Sequence, residues 1–237
     1  MTLAVAGLSY AYGAKQALDD VSFRAQAGRF TALLGPNGAG KSTLFGLLAG
    51  LLRADAGSVE VAGHDMAHEP RRALTEMGIV FQQTTLDLDL TVRQNLRYFA
   101  ALRGLAGQGA DRRIDAALDR LEMRERAAEK VRALNGGHRR RTEIARALLH
   151  GPSVLLLDEP TVGLDAASRT AITAHVHDLA GDGLAVLWAT HLTDEVGPGD
   201  HLLVLHQGRL LADGAVADVT AGAPLPDYFL GVTSRAA

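Results

Sequence analysis

The residues best suited to chemistry form a glycine-rich run at residues 35–43, GPNGAGKST. Its fixed positions are Gly35, Gly40, Lys41 and Ser42, at the spacing of a phosphate-binding loop. Glycines let backbone N–H groups turn toward phosphate oxygens, and a following helix adds the positive end of its dipole. Lys41 could then reach the β and γ phosphates, and the Ser42 hydroxyl could bind Mg²⁺. The predicted loop consists of Gly35, Pro36, Asn37, Gly38, Ala39, Gly40, Lys41, Ser42 and Thr43.

A second signal is a pair of carboxylates at the end of an apolar run. Residues 153–157, SVLLL, predict a strand buried on both faces, and Asp158 and Glu159 follow before Pro160 ends the strand. In a parallel sheet this places both acids beside the loop. Asp158 could hold Mg²⁺, and Glu159 could be the base that orients or deprotonates an attacking water. A helix cap or surface pair is the alternative, and the buried strand argues against it.

The elements that must position these residues predict an α/β fold with a mainly parallel sheet. FTALL before the loop predicts a strand, and the apolar run after it predicts a helix reaching residue 52. A glycine-rich turn capping an apolar helix would look similar, but strand, loop and helix occur in the order that phosphate binding requires. Residues 3–30 predict an N-terminal antiparallel β flank. SVEVAG, MGIVF and LAVLWAT predict further strands, and a hairpin turns at Gln207 and Gly208.

Residues 83–152 lack strand signals and predict an inserted α-helical subdomain. Gly104, Gly107 and Gly109 separate the first two of its three helical segments. After the acid pair, Asp165 is a suitable N-cap for another helix. We therefore expect a single domain over residues 1–237. Its parts are a nucleotide-binding core at 1–82 and 153–214, the insert at 83–152, and a short, turn-rich C-terminal segment at 215–237.

Composition narrows the function classes. The chain has 237 residues, a net charge of −3 and no cysteine. Near neutrality of charge argues against a nucleic-acid surface, and the arginines at 139–141 are a local cluster that fits a solvated helix face. Disulfides and thiolate metal sites are excluded. The longest apolar run, residues 44–52, is far shorter than the roughly 20 residues of a membrane helix. If the protein works at a membrane, another chain must span it.

A further motif carries a family resemblance. LNGGHRRRTEIARALL, at residues 134–149, stands shortly before VLLLDEP and resembles the signature motif of ATP-binding cassette (ABC) ATPases, usually written LSGGQ. The loop, Gln82 after a strand, the acid pair, GLD at residues 163–165 and His191 after a strand complete the family's motifs in order. The chain thus resembles ABC transporter ATP-binding subunits, which implies a P-loop NTPase core.

The resemblance implies site roles that the residues alone leave open. Gln82 is similar to the glutamine that senses Mg²⁺ and water, and His191 to the histidine that contacts the γ phosphate. In this family two copies pack head to tail, and the signature of one closes on the nucleotide held by the other. Catalytic roles are then expected for Lys41, Glu159 and His191, and metal roles for Ser42, Gln82 and Asp158. The nucleotide contacts expected outside the loop are Tyr12, which could stack on adenine, Asn135, Gly136, Gly137, His138 and Asp165.

Two signature positions depart from the family pattern. Asn135 replaces the usual serine; it is a good helix N-cap but bulkier. His138 replaces the usual glutamine, and its charge could vary near neutral pH. We expect the composite site to close nevertheless, with an altered rate or pH dependence.

The resemblance implies an ATP- and Mg²⁺-dependent ATPase that powers transport through a separate membrane permease. The expected partners are a second copy of the chain and that permease, not nucleic acid, with the subunit cytoplasmic and peripheral on the inner face of the cell membrane. TTLDLDLTVRQNL after Gln82 resembles exporter-type cassettes. LNGGH combined with LWATHLTDEV also resembles cassettes associated with quinone-dependent alcohol oxidation systems. The alternatives are a soluble cassette ATPase acting on nucleic acid or ribosomes, which usually carries two cassettes or a coiled-coil insertion, and a regulatory module that no longer hydrolyses.

Overall fold

The computed structural model describes residues 2–235, which form two sheets and eight helices. Met1, Ala236 and Ala237, which the predicted single domain includes, lie outside the described residues. The strands are β1 Leu3–Tyr12, β2 Lys15–Ala25, β3 Phe30–Leu34, β4 Ala56–Val61, β5 His64–Asp65, β6 Met77–Val80, β7 Val154–Asp158, β8 Ala185–Thr190, β9 His201–His206 and β10 Arg209–Ala215. The helices are α1 Lys41–Leu48, α2 Pro70–Thr75, α3 Val92–Leu102, α4 Gly107–Arg120, α5 Gly136–Leu148, α6 Ala166–Gly181, α7 Val216–Thr220 and α8 Leu225–Arg235.

The larger sheet is mainly parallel, as the sequence predicts. Its order is β10-β9-β3-β8-β7-β6, and within this sheet, as far as the structure describes it, only the β9–β10 hairpin pairs antiparallel. Leu34 of β3 lies opposite Thr190 of β8, and Val80 of β6 lies opposite Leu157 of β7. This register brings the carboxyl ends of four neighbouring strands to one edge of the sheet, where the predicted site residues follow.

The smaller sheet is antiparallel and has the order β2-β1-β4-β5. β1 and β2 form a hairpin that turns at Gly13, where φ is +60°. β4 contains the first four residues of the predicted SVEVAG strand, and the last two lie in the turn that follows it. The predicted antiparallel flank is therefore confirmed. Its apolar face packs with α1 against one face of the parallel sheet.

Two apolar clusters cover the two faces of the parallel sheet. Alternate residues of β3 separate between them, with Ala32 and Leu34 on the side of the inserted helices and Leu33 on the side of α1. Because both faces are covered, β3, β7 and β8 are buried along their whole length. This double burial explains why these strands are continuous apolar runs rather than alternating ones.

The predicted insert contains three helices, α3, α4 and α5. Thr91 caps α3 through a capping box with Gln94, in which each side chain bonds the other residue's backbone N–H. One predicted boundary is wrong: Gly107 and Gly109 do not separate the first two helices but lie in the first turn of α4. Glycine costs less at a helix start than in its interior, where it loses the most backbone entropy.

Two other boundaries also differ from the sequence prediction. The helix after the loop ends at Leu48, because the chain turns at Gly50, where φ is +69°. The predicted turn-rich C-terminal segment contains α7 and α8, and the second of these packs Tyr228 and Phe229 on the core. Pro226 is tolerated because it lies in the first turn of α8. Within residues 2–235, no helix is both long and apolar enough to cross a membrane.

A charge pair between half-buried His177 and buried Asp200 joins α6 to the start of β9. The Nδ1 of His177 lies 2.9 Å from the Thr173 carbonyl oxygen, and its Nε2 lies 2.9 and 3.0 Å from the two Asp200 carboxylate oxygens. Both ring nitrogens face acceptors, so only the imidazolium can donate to both. Burial opposes this charge, but the hydrogen bonds to Asp200 and Thr173 outweigh it and hold the pKa of His177 above its usual value.

We expect this pair to make stability pH-dependent. Because the folded-state pKa of His177 is raised, its contribution is full below about pH 6.5 and is lost as pH rises through the folded pKa. His177→Gln should lower the free energy of unfolding by about 1 kcal/mol in acid, a modest amount because the ring is partly exposed. The loss should be smaller in alkali, where the ring is neutral. Urea unfolding at several pH values measures this. His175→Gln, two residues earlier on α6, is the matched control; an equal effect from it would contradict the assignment.

Candidate functional site

The glycine-rich loop connects β3 to α1 as predicted. A Cβ on Gly35 would lie 2.5 Å from the Leu205 carbonyl oxygen, so no side chain fits there. Gly40 has a φ of +111°, and a Cβ on it would lie 2.7 Å from the Ala17 carbonyl oxygen. Both fixed glycines of the motif are therefore required by close backbone approach. They bring the loop against the β9–β10 hairpin and β2.

The loop borders a cleft of about 740 Å³. The sequence-predicted site residues that line it are Tyr12, Pro36, Asn37, Gly38, Gly40, Lys41, Ser42, Thr43, Gln82 and Glu159. Gly35 and Ala39 belong to the loop but are buried and do not line the cleft. The structure thus brings these residues, from four separate segments of the chain, around one cavity.

The Glu159 carboxylate is the centre of the site. Its Oε1 lies 3.1 Å from Lys41 Nζ and 3.5 Å from His191 Nδ1. Its Oε2 accepts a hydrogen bond of 3.3 Å from Gln82 Nε2. Three residues for which the sequence analysis expects separate site roles therefore converge on this carboxylate. Lys41 also donates to the carbonyl oxygens of Gly35, at 2.6 Å, and Pro36, at 3.3 Å.

The backbone of Glu159 is held in an unusual conformation. Its φ is +46°, a left-handed value that costs a non-glycine residue energy and is found mainly where surrounding structure enforces it. Its N–H donates to the Ala189 carbonyl oxygen of β8 at 3.0 Å. The turn after β7 thus aims the carboxylate at the loop instead of letting it follow the strand.

Asp158, at the end of β7, is buried beside the loop. It is 6% exposed, and its Oδ1 has no hydrogen-bond partner within the described part of the chain. Burial, followed by the neighbouring charge of Glu159, raises the pKa of Asp158 to about 6, against the opposing effects of Lys41 and a hydrogen bond with Ser42. A buried, unpartnered carboxylate oxygen next to a serine hydroxyl is suited to an oxygen-preferring cation.

Gln82 follows β6 at the same edge of the sheet. Arg140 of α5 donates to the Gln82 carbonyl oxygen at 2.8 Å and to that of Phe81 at 2.7 Å. The segment is therefore anchored through its backbone, while the Gln82 side chain is exposed toward Glu159. This contact connects the inserted helices to the cleft.

The signature residues lie together but do not line this cleft. Asn135 caps α5 by accepting a hydrogen bond of 2.8 Å from His138 N, as the sequence predicts. A Cβ on Gly136 would lie 2.8 Å from a Leu164 methyl group, and one on Gly137 would lie 2.7 Å from the Ser168 hydroxyl. Packing against Ser168 at the start of α6 therefore also favours glycine at position 137, whereas a side chain at position 136 would meet only the end of the flexible Leu164 side chain; the sequence analysis did not foresee this contact.

Asp165 is placed beside the signature rather than in the cleft. It caps α6 by accepting from Ser168 N at 2.9 Å and from Ser168 Oγ at 2.7 Å. These hydrogen bonds with Ser168 lower the pKa of Asp165. Asn135, Gly136 and Asp165 are all exposed, so a nucleotide held in the cleft of the same chain is not surrounded by them.

Sequence reasoning missed five residues that line the cleft: Lys15, Gln16, Ala17, Gln207 and Gly208. The hairpin at Gln207 and Gly208 was predicted, but not its position. Gly208 N donates to the Ala39 carbonyl oxygen at 2.9 Å, and Asp19 N donates to the Gly208 carbonyl oxygen at 2.8 Å. The only available signal was the glycine in the turn, and it does not reveal which loop the turn touches.

Comparison with known proteins agrees with this geometry. A family model described as ABC transporter matches residues 18–162. The daunorubicin resistance ATP-binding protein DrrA3 of Streptomyces coeruleorubidus is 39% identical over 220 residues, 92% of this chain and 70% of that protein. The Nod factor export ATP-binding protein I of Ralstonia nicotianae is 38% identical over 213 residues, 90% of this chain and 66% of that protein. The chain thus spans about two thirds of the length of these curated relatives.

The fold is shared with solved structures as well. The structure of cbiO1 from Clostridium perfringens, part of the ABC transporter complex cbiONQ, has a TM-score of 0.86 and 29% identity, over 99% of this chain and 96% of that one. Sequence, fold and family model agree with the predicted resemblance. The chain therefore belongs to the ABC transporter family, as one of its ATP-binding, ATP-hydrolysing subunits.

Proposed function

We propose that the cleft binds ATP with Mg²⁺ and that hydrolysis there drives export of a substrate through a separate permease. The observation that carries this proposal is the convergence of Lys41, His191 and Gln82 on the Glu159 carboxylate at the mouth of the loop. Glu159 is the base that orients or deprotonates the attacking water, and His191 attends the γ phosphate. The runner-up, a cassette acting on nucleic acid or ribosomes, lacks support from the relatives, whose names are those of resistance and export proteins.

Lys41 has a role in binding phosphate. Its ammonium group contacts three acceptors, namely the Glu159 carboxylate and the carbonyl oxygens of Gly35 and Pro36. Phosphate oxygens are stronger acceptors than neutral carbonyls, so a bound nucleotide would compete for the ammonium group. Release of Lys41 from Glu159 would leave that carboxylate free to accept a proton.

Ser42, Asp158 and Gln82 are the residues proposed to hold Mg²⁺, directly or through water. The unpartnered Asp158 oxygen and the adjacent Ser42 hydroxyl fit its preference for oxygen ligands. Mg²⁺ held by these residues would supply positive charge that neutralises the negative charge developing on the phosphate oxygens. Turnover that persists in excess EDTA would contradict this assignment.

Tyr12 is proposed to stack on the adenine. Its ring is 52% exposed at the edge of the cleft and packs edge-to-face against Tyr10, with centroids 4.9 Å apart. This contact restrains the orientation of the Tyr12 ring, and the exposed part of the ring remains accessible to a ligand in the cleft. Tyr12→Ala should weaken nucleotide binding without slowing hydrolysis of bound ATP.

The catalytic unit is proposed to be a head-to-tail dimer. Asn135, Gly136 and Asp165 are exposed in the single chain, and none of them lines its cleft. The capped start of α5 presents free N–H groups that suit a phosphate anion. Asn135, Gly136, Gly137 and His138 of a second copy would then close over the nucleotide, with Asp165 nearby.

One experiment tests both the proposed permease partner and the proposed location at the membrane. The tagged chain, purified from membranes of its own host, should co-purify with a multispan protein, and that complex should place the subunit at the cytoplasmic face. Recovery with ribosomes, or without any membrane partner, would overturn the transport proposal. Identification of the co-purified permease would also be the first step toward the exported substrate.

His138 gives the proposed site a testable pH dependence. Burial, followed by the charges of Arg126 and Arg141, lowers the pKa of His138, while Glu129 opposes them. The ring is therefore neutral above about pH 6.5 and gains its charge only in more acidic solution. ATPase profiles of wild type and His138→Gln should have the same shape above that pH and diverge below it. Profiles that superimpose throughout the acidic range in which both proteins stay folded would contradict a role for this charge.

A further inference from the structure

A buried carboxylate lies directly behind the proposed catalytic residues. Glu195 closes a 3₁₀ turn, Thr193–Glu195, and is only 4% exposed. It lines no part of the nucleotide cleft. Its Oε2 accepts from Trp188 Nε1 at 3.0 Å and from Thr190 Oγ1 at 2.6 Å, and its Oε1 bonds the Thr161 hydroxyl. Such a carboxylate persists in an apolar core only because several donors satisfy it.

These donors come from the two segments that carry Glu159 and His191. Thr161 lies two residues after Glu159, in a turn where Val162 N donates to the Glu159 carbonyl oxygen at 3.3 Å. Thr190 directly precedes His191, and its Oγ1 also accepts from Leu192 N at 3.0 Å. One carboxylate therefore fixes the residues that flank both partners of the 3.5 Å contact between His191 Nδ1 and Glu159 Oε1.

We propose that Glu195 is a positioning residue that sets the distance between Glu159 and His191. This inference rests on the proposed roles of those two residues. The positive φ of Glu159 needs external support, and the bond from Glu195 to Thr161 supplies it from behind the site. Because Glu195 contacts neither the cleft nor the loop, its loss should lower kcat and leave nucleotide affinity unchanged.

Substitutions that keep or remove individual hydrogen bonds of Glu195 provide matched variants. In Glu195→Gln the amide oxygen can still accept from Trp188 and Thr190, while its N–H₂ can donate to a rotated Thr161 hydroxyl. Glu195→Ala removes all three bonds. Thr161→Val removes only the hydrogen bond between Thr161 and Glu195, which supports the turn after Glu159. Thr161→Ser retains a hydroxyl at the same place. Val61→Ala, buried in the antiparallel sheet, is the control for lost stability alone.

The test is steady-state ATPase kinetics with separate measurement of nucleotide Kd and of the folded fraction. Thr161→Val and Glu195→Ala should lower kcat by about 10- to 100-fold with Kd changed less than about threefold. Glu195→Gln and Thr161→Ser should stay within about threefold of wild type. If Glu195→Ala does not fold, the comparison of Thr161→Val with Thr161→Ser decides the matter.

Other outcomes would overturn the inference. Wild-type kcat in Thr161→Val, or a loss that only follows the folded fraction as in Val61→Ala, would show that Glu195 is merely structural. Glu159→Gln, assayed in parallel, separates this failure from that of the proposed function. An inactive Glu159→Gln beside a fully active Thr161→Val overturns only the role of Glu195, whereas an active Glu159→Gln overturns both.

Discussion

Glu159→Gln should bind ATP as tightly as wild type and turn it over about 10²- to 10⁴-fold more slowly. The amide keeps the size of the side chain, and its single oxygen can still accept from either Lys41 or Gln82, which contact different oxygens of the carboxylate. It cannot accept a proton from water. Nucleotide should therefore remain bound, and the proposed head-to-tail dimer should accumulate. The loss of turnover is measured by single-turnover hydrolysis, and the retained affinity by the Kd of a fluorescent nucleotide. Light scattering in the presence of ATP measures the accumulation of the dimer.

A matched control is available on the antiparallel sheet. Glu60 is exposed on β4, outside the residues that line the cleft, so Glu60→Gln removes the same charge without touching the site. Its turnover should equal that of wild type. A Glu159→Gln protein that stays monomeric with ATP and hydrolyses normally would contradict both the assigned base and the shared site.

Much of the architecture follows from burial patterns that are visible in the sequence. β3, β7 and β8 are covered on both faces, so most of their residues are apolar. β3 ends directly before the loop, β7 ends at Asp158, and β8 ends directly before His191. Because parallel strands end at one edge, the sequence order of these motifs also predicts their proximity. The convergence on Glu159 is a consequence of that edge.

Other features depend on contacts between distant segments and leave no local trace. Gly137 is required by Ser168, which lies 31 positions later in the chain, and Gly35 by the carbonyl oxygen of Leu205. Glu195 is an ordinary acidic residue in the sequence, and only the fold gathers Trp188, Thr190 and Thr161 around it. Pairings of this kind are set by tertiary packing, which local propensity does not encode.

The buried ion pair of α5 is a further product of tertiary packing. Arg140 and Glu143 are 6% and 1% exposed, and Arg140 Nη1 donates to Glu143 Oε2 at 2.8 Å. Arg140 also holds the backbone of Phe81 and Gln82, and Glu143 Oε1 accepts from Thr85 N at 2.9 Å. The pair therefore ties the inserted helices to the segment that enters the cleft. Burial raises the pKa of Glu143, and the Arg140 charge opposes that rise.

Arg140→Met should lower the free energy of unfolding by about 3–5 kcal/mol, because Glu143 is left as an uncompensated buried charge. The loss should grow with pH, since a carboxyl whose folded pKa is raised contributes stability below its unfolded pKa and loses it as pH rises. Arg140→Met with Glu143→Leu should be less destabilised, because the buried Glu143 carboxylate is then removed together with its partner. Urea unfolding at several pH values tests this.

Arg141→Met, whose partner Glu122 is exposed, should cost less than about 1 kcal/mol. A double variant as unstable as Arg140→Met would show that the backbone contacts of Arg140, not the charge of Glu143, stabilise this region.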